Sequence, residues 1–415
     1  MLLVLTLALL APTQATPADP LFRATGLDGS TALGRLRQLG ADGRATLAGD
    51  KGETIEVPAF FKLTRVGEPT AGPQPASPEG DRLRDEPFAS PVAGPQVLLP
   101  EGDRLRGEVG AAGEASVEVT PAWNADAPLA VPLDAVVGLA LAPPAEADAR
   151  SALLARVRDE PREADALWLT NGDRLAGGFL DLSARRVKLQ LPTGPVEVDR
   201  AGVAALGLDP RVARYPPAAG SLVELTLADG SRLGVAACRV EKGHVEATTR
   251  LGLAVKVPVG LLARAHLRDG RVRYLSEREA QAGYEGYVGP TRPYRRDLSV
   301  EGRTLRLGGQ PYDRGLGVQS RTLLAYKLEP RDRRFQATVG LDDRAGPRGS
   351  VAFRVLVDRV ERLATPPMSD RDRPTAIDVD VAGAQSLVLI AEFAERGEVR
   401  DLADWAEARL VGAGP

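Results

Sequence analysis

Five residues in the last quarter of the chain, Gln319, Asp342, Asp343, Asp404 and Trp405, are of the types that hold either a sugar or a hard cation. Sugars are gripped by amide and carboxylate groups that bond two hydroxyls at once, with an aromatic face against the C–H side of the ring. A cation such as calcium asks for several oxygens, which loop aspartates supply. On sequence alone, Gln319, Asp404 and Trp405 are assigned to carbohydrate binding, and Asp342 with Asp343 to a metal. A turn role for the two neighbouring aspartates, and a core position for Trp405 among its apolar neighbours, remain open as alternatives.

Other chemistry finds little support. The two histidines, His244 and His266, have no cysteine or carboxylate at metal-ligand spacing and accompany no nucleophile motif. No P-loop, dinucleotide fingerprint or zinc-protease motif occurs, so no enzyme is expected. A glycosidase needs only two carboxylates, but no segment has the length and βα alternation of a catalytic barrel. A net charge of −3 gives no electrostatic case for nucleic acid or an anionic membrane. The single cysteine, Cys238, excludes an intramolecular disulfide framework and sits in the apolar phrase GVAAC, which points to burial.

The elements that must position these residues are strands. From Leu323 onward the chain alternates apolar and polar residues in LLAYKL, RFQATVGL, SVAFRVLVD, IDVDV and SLVLIAEF, the pattern of a sandwich with one buried face per strand. Upstream, the phrase PEGDRLR begins at Pro78 and again at Pro100, and is paraphrased as NGDRL from Asn171 and DGSRL from Asp229. Three of these four copies stand between strand-like runs, so the phrase reads as a hairpin tip in which glycine supplies positive φ and Asp or Ser bonds back to the turn. The copy at Pro78 lacks a following strand and reads as a degenerate duplicate in a linker. Gly29, Gly102, Gly172 and Gly230 are each followed at nearly constant spacing by Val57-Pro58, Val131-Pro132, Val198-Asp199 and Val257-Pro258, then by a short apolar closing run. That is an internal repeat.

The expected fold is therefore all-β: a C-terminal jelly-roll β-sandwich preceded by about four small SH3-like or Sm-like β-barrel repeats. The divisions are a signal-peptide-like segment at 1–18, repeats at 21–67, 96–142, 166–208 and 221–268, a Pro-rich linker at 68–95, a helical linker at 143–165, and the sandwich at 274–412. Units so small are expected to pack in pairs. The apolar run Leu2–Leu10, followed by small residues and Pro, has the shape of a secretory signal with cleavage near Ala15 or Ala18. It is too short to span a bilayer. Export to periplasm, cell surface or medium is expected, with no permanent membrane span.

The sandwich segment also resembles a known family. YLSEREA, GYVGPTRPYRRDLSVEGRTLRLGGQPYDRGLGVQSRTLLAYKL, FQATVGLDDRAGPRGSVAFRVLVD and VDVAGAQSLVLIAEF, closing with DLADWAEARL, follow in order the motifs of the novel putative carbohydrate-binding module (NPCBM) family. The resemblance covers about 274–412; the repeats before it are similar to segments in exported planctomycete-type proteins. It implies a jelly roll that binds terminal sugars, often galactose-type, and in some members a structural calcium. Within the family's Gly-Leu-Gly-Val-His-Ala phrase, here Gly315 to Ser320, Gln319 replaces the histidine; in the closing motif Leu402 replaces another, while Asp401, Asp404 and Trp405 remain. Gln can still bond two hydroxyls. The reading is an exported, non-catalytic glycan-binding protein whose repeats act as spacer or as a platform for a protein partner. The two departures keep a rival open, a structural or protein-interaction protein whose sandwich has lost sugar binding.

Overall fold

The computed structural model describes residues 20–66, 94–125, 127–217, 220–284, 292–312, 314–394 and 400–413. The signal-like segment and the PEGDRLR copy at Pro78 lie outside them. The architecture is all-β, with one α-helix among the described residues, Ala147–Asp159, that sets Val157 against Val137 and Trp168. No helix among the described residues is long and apolar enough to cross a membrane.

The repeated phrase is a turn. Gly29, Gly102, Gly172 and Gly230 have φ of +81°, +84°, +95° and +92°, a region that side chains disfavour. The flanking strands pair antiparallel, Thr25 with Thr31, Leu98 with Arg104, Trp168 with Arg174 and Thr226 with Arg232. Asp28 and Asp229 each accept the backbone N–H two residues on, from Ser30 and Ser231. Asp103 does more than a turn residue. It is buried, accepts the Gly234 N–H at 2.9 Å and the Tyr215 hydroxyl, and so ties its hairpin to the fourth unit.

In the first and fourth units the closing strand pairs with the first, which pairs with the second, third and fourth in turn. In the second and third units the long second strand breaks at Gly107 and Gly177, where a Cβ would strike the backbone carbonyls of Thr120 and Gln190. The outer halves, Glu108–Ala112 and Gly178–Leu182, then meet at Ala112 and Leu182, so strands of both units form one six-stranded sheet. Closing strands join the units in pairs: Leu139 lies opposite Leu206, and Leu63 opposite Ala265. A further bridge, Arg104 to Arg232, links the pairs. One core runs through all four, from Phe22 to Leu267, because none of them encloses enough apolar surface alone.

The C-terminal sandwich has two antiparallel sheets. One orders Arg295–Arg296, Gly315–Gln319, Leu402–Gly412, Asp332–Leu341 and Thr375–Asp380; the other orders Gln281–Tyr284, Thr322–Lys327, Ser386–Phe393, Val351–Val357 and Val360–Ala364. Their inner faces meet in a core of Leu316, Val318, Phe335, Val339, Phe353, Leu389 and Trp405.

The strand Leu402–Gly412 is buried along almost its whole length because both of its faces are covered. Trp405, Ala408 and Leu410 enter the sandwich core, whereas Val411 packs with Phe61, Val272 and Tyr274 at the junction with the repeats. There Lys62 Nζ lies 2.8 Å from Glu407 Oε1, Tyr274 donates to the same carboxylate at 3.3 Å, and the Arg409 guanidinium stands 4.0 Å above the Phe61 ring. Arg314 reaches Glu277 at 3.3 Å and Glu224 of the fourth unit at 4.0 Å. Burial alone would raise the Glu407 pKa, but the cations, Lys62 foremost, hold it far below the usual carboxylate range. Burial likewise lowers that of His266 and favours its neutral form.

Candidate carbohydrate-binding site

The loops after Gln319, after Leu341 and before Leu402 converge at one end of the sandwich, since Gln319 pairs with Leu402 and Leu341 with Ala403. Backbone bonds close this end: Ser320 N–H to Asp401 O at 3.2 Å, Arg321 N–H to Ala391 O at 2.6 Å and Asp342 N–H to Leu402 O at 3.0 Å. The Arg400 side chain donates to the carbonyls of Ala345 and Arg344, stapling two loops together. Arg321 and Arg400 have φ of +62° and +60°, sparsely populated for residues with side chains. Such backbone persists only where the surroundings over-determine it, as at binding sites.

The residues assigned from sequence separate here. Gln319 is half-buried at the tip, at the end of its strand. Trp405 is 1% exposed, its ring 5.1 Å from that of Phe353 and 6.2 Å from that of Phe335. A ring enclosed this way has no face left for a sugar, so its assignment to carbohydrate binding is corrected to the core. Asp404 is 0% exposed and its carboxyl oxygens meet no donor, so it cannot touch a sugar at the surface either.

The expected metal pair is not brought to one point. The Asp343 carboxylate turns to the hairpin of Leu305–Leu307 and Gln310–Tyr312, accepting the Gly309 N–H at 3.0 Å and standing 3.6 Å from Arg306. Asp342, 1% exposed, faces inward; Oδ1 accepts the Arg344 N–H at 2.9 Å and Oδ2 is buried without a donor. Its neighbour is Asp404. Burial first, and then the Asp342 charge beside it, push the Asp404 carboxyl well above its ordinary range. Two buried carboxyls with orphaned oxygens share a proton or hold a cation. For a cation the fitting pair is Asp342 with Asp404. Among the described residues no group of three or more His, Cys, Asp or Glu is placed to hold a metal, so any further ligands at this pair would be other oxygens such as main-chain carbonyls.

Sequence reasoning missed Phe393. It ends a strand at the same tip, 40% exposed, with the Arg321 guanidinium 5.3 Å from its ring centroid. The alternation hid it, since SLVLIAEF places Phe393 in phase with the buried Leu387, Leu389 and Ala391, and only its place at the strand's end exposes it.

Residues 271–411 match the family model described as NPCBM/NEW2 domain. The C-terminal module is an NPCBM/NEW2 domain. The match spans the sandwich and leaves all four repeats outside. Over 115 residues the chain is 28% identical to a putative endo-alpha-N-acetylgalactosaminidase of Renibacterium salmoninarum; that stretch is 28% of this chain and 8% of that protein's length. Among solved structures, the chain is similar to the CBM51 module from Clostridium perfringens GH95 in complex with methyl-galactose, with 26% identity and a TM-score of 0.31 over 34% of this chain and 99% of that one. It is also similar to CBM51-2 in complex with GlcNAc and INT domains from Clostridium perfringens ZmpB, with 22% identity and a TM-score of 0.32 over 44% and 42% of the two chains.

Proposed function

We propose that this is an exported, non-catalytic glycan-binding protein, in which the NPCBM/NEW2 domain takes a terminal sugar of galactose type at the tip carrying Gln319, Arg321 and Phe393. One observation supports the placement: the Arg321 guanidinium, on backbone held at positive φ two residues after Gln319, lies over the exposed Phe393 ring, so that hydrogen-bond donors and an aromatic face for a sugar's C–H side are offered at one tip. Calcium, bound by Asp342 and Asp404 beneath the tip, would neutralise the buried carboxyls and fix the loops that present these groups. The repeats hold the domain in one orientation through the Lys62, Glu407 and Arg314 contacts and offer a platform for a protein partner.

A rival reading, a structural or interaction protein, draws on the burial of Asp404 and Trp405, which leaves few polar groups at the tip. A glycan array probed with the full chain, with and without calcium, separates the two. Binding to terminal galactose-type glycans, with a Kd on the order of micromolar to millimolar, supports the proposal. Binding to no glycan overturns it in favour of the rival.

A further inference from the structure

Beside the Gln319 tip lies a cleft of about 510 Å³ walled by Arg292, Arg295 and Arg303, with Pro293, Val300 and Glu301 completing it. We propose that this cleft is a subsite for the acidic group, carboxylate or sulfate, of a charged sugar residue, extending the glycan site proposed above and resting on that reading.

The backbone sets the arginines together. Arg295 pairs with Gly317, two residues along the strand from Gln319, so the cleft begins roughly 7 Å from the tip. The chain then doubles back through a turn in which Gly302 donates to Ser299 O at 2.7 Å and Ser299 N–H bonds Arg303 O at 2.7 Å, which returns Arg303 to the same wall. Gly302 has no side chain, and a Cβ there would sit 3.5 Å from the Arg295 guanidinium carbon. The charges are left unbalanced. Arg292 meets Glu301 at 3.3 Å, with both side chains partly exposed, but Arg295 donates only to a neutral carbonyl, Val300 O, at 3.2 Å, and Arg303 has no ion pair among the described residues. Three guanidinia against one carboxylate, in a chain whose net charge is −3, make a local positive site. Planar guanidinium forks match carboxylate and sulfate oxygens two at a time. The volume suits one sugar ring and not a long helix or duplex.

The test is calorimetric titration of the full chain with three oligosaccharide probes of equal length: neutral galacto-oligosaccharide, oligogalacturonate and 6-sulfated galacto-oligosaccharide. At low salt, one of the acidic probes should bind about tenfold or more tighter than the neutral probe, and the preference should shrink as ionic strength rises. Whether the uronate or the sulfate ester gains identifies the acidic group. The double variant Arg295→Gln and Arg303→Gln should lose that preference while keeping neutral binding, and circular dichroism and the melting temperature should show the domain folded. Each substitution made singly serves if the double variant fails to fold. Equal binding of all three probes, or an acidic preference unchanged in the variants, overturns the subsite and leaves the glycan reading standing. Binding of none of them overturns both.

Discussion

Lys62 Nζ and Glu407 Oε1 are 2.8 Å apart although 345 residues separate them in sequence, and both side chains are largely removed from water. The first repeat and the last strand of the NPCBM/NEW2 domain are thus tied by a buried ion pair, and the domain cannot turn freely against the repeats without breaking it. Removing one partner leaves a charge buried without compensation. Lys62→Met should cost about 3–5 kcal/mol, whereas Lys62→Met with Glu407→Leu should recover much of the loss. Denaturant unfolding of the two variants and of Glu407→Leu alone completes the double-mutant cycle; additive losses would mean the pair does not couple.

The same junction gives stability a definite pH dependence. Glu407 and His266 both have pKa values depressed on folding, from ordinary values of 4.5 and 6.5. Each is protonated more readily in the unfolded chain, so its contribution is present above its ordinary value and lost as pH falls toward the folded one. In an Asp404→Asn background, which removes the opposing carboxyl at the tip, the melting temperature should decline below pH 6.5 and decline more steeply below 4.5. His266→Gln should flatten the upper part of that decline alone. A melting temperature that rises on acidification through this range would contradict the assignment.

Asp404 carries the opposite sign. Its pKa is raised from an ordinary 3.8, so the protonated form suits the fold and stability falls as pH rises through the folded value. A cation between Asp342 and Asp404 would reverse that loss by mass action. Calcium should therefore raise the melting temperature more at pH 8 than at pH 5, and chelation should undo it. Asp404→Asn should abolish the calcium response, while Asp343→Asn should leave it in place, because Asp343 caps the neighbouring hairpin. A response that survives Asp404→Asn rules out this pair.

Trp405 belongs to the core, so Trp405→Ala should cost about 3–5 kcal/mol through the cavity it opens between Phe335 and Phe353. Trp405→Phe should keep most of that stability and keep glycan affinity. A loss of affinity in a fully folded Trp405→Phe variant would return the ring to the binding site.

The hairpin phrase separates turn chemistry from docking. At Gly172, φ is +95° and nothing crowds the missing Cβ, so Gly172→Ala should cost about 1–2 kcal/mol through backbone conformation. Asp103→Ala should cost a comparable amount for another reason, the buried Gly234 N–H and Tyr215 hydroxyl left without an acceptor. Asp173→Ala, in an exposed copy of the phrase, should be nearly neutral in thermal unfolding.

What was legible in the sequence was local. The period-two alternation around Phe353 and Leu389 marks sandwich strands, and glycine within polar phrases marks the turns, since both signals lie within a few residues. The meeting of Asp342 with Asp404, of Lys62 with Glu407, and of Asp103 with Gly234 depends on strands far apart in the chain. The residues themselves carry no mark of those partners. Trp405 misled because an aromatic beside loop aspartates looks the same whether it faces the core or the solvent; its phase, set by a bulge between Gln336 and Thr338, is fixed only by pairing with the neighbouring strand.

The most direct measurement of the glycan reading is titration of the full chain, in calcium, with the strongest neutral glycan from the array, repeated for Gln319→Ala, Phe393→Ala and, as a distant control, Leu180→Ser on the exposed surface of the third repeat. Gln319→Ala and Phe393→Ala should each weaken binding by about tenfold or more, some 1.4 kcal/mol, with the melting temperature and the control's affinity unchanged. Wild-type affinity in both tip variants would place the sugar elsewhere and contradict the account.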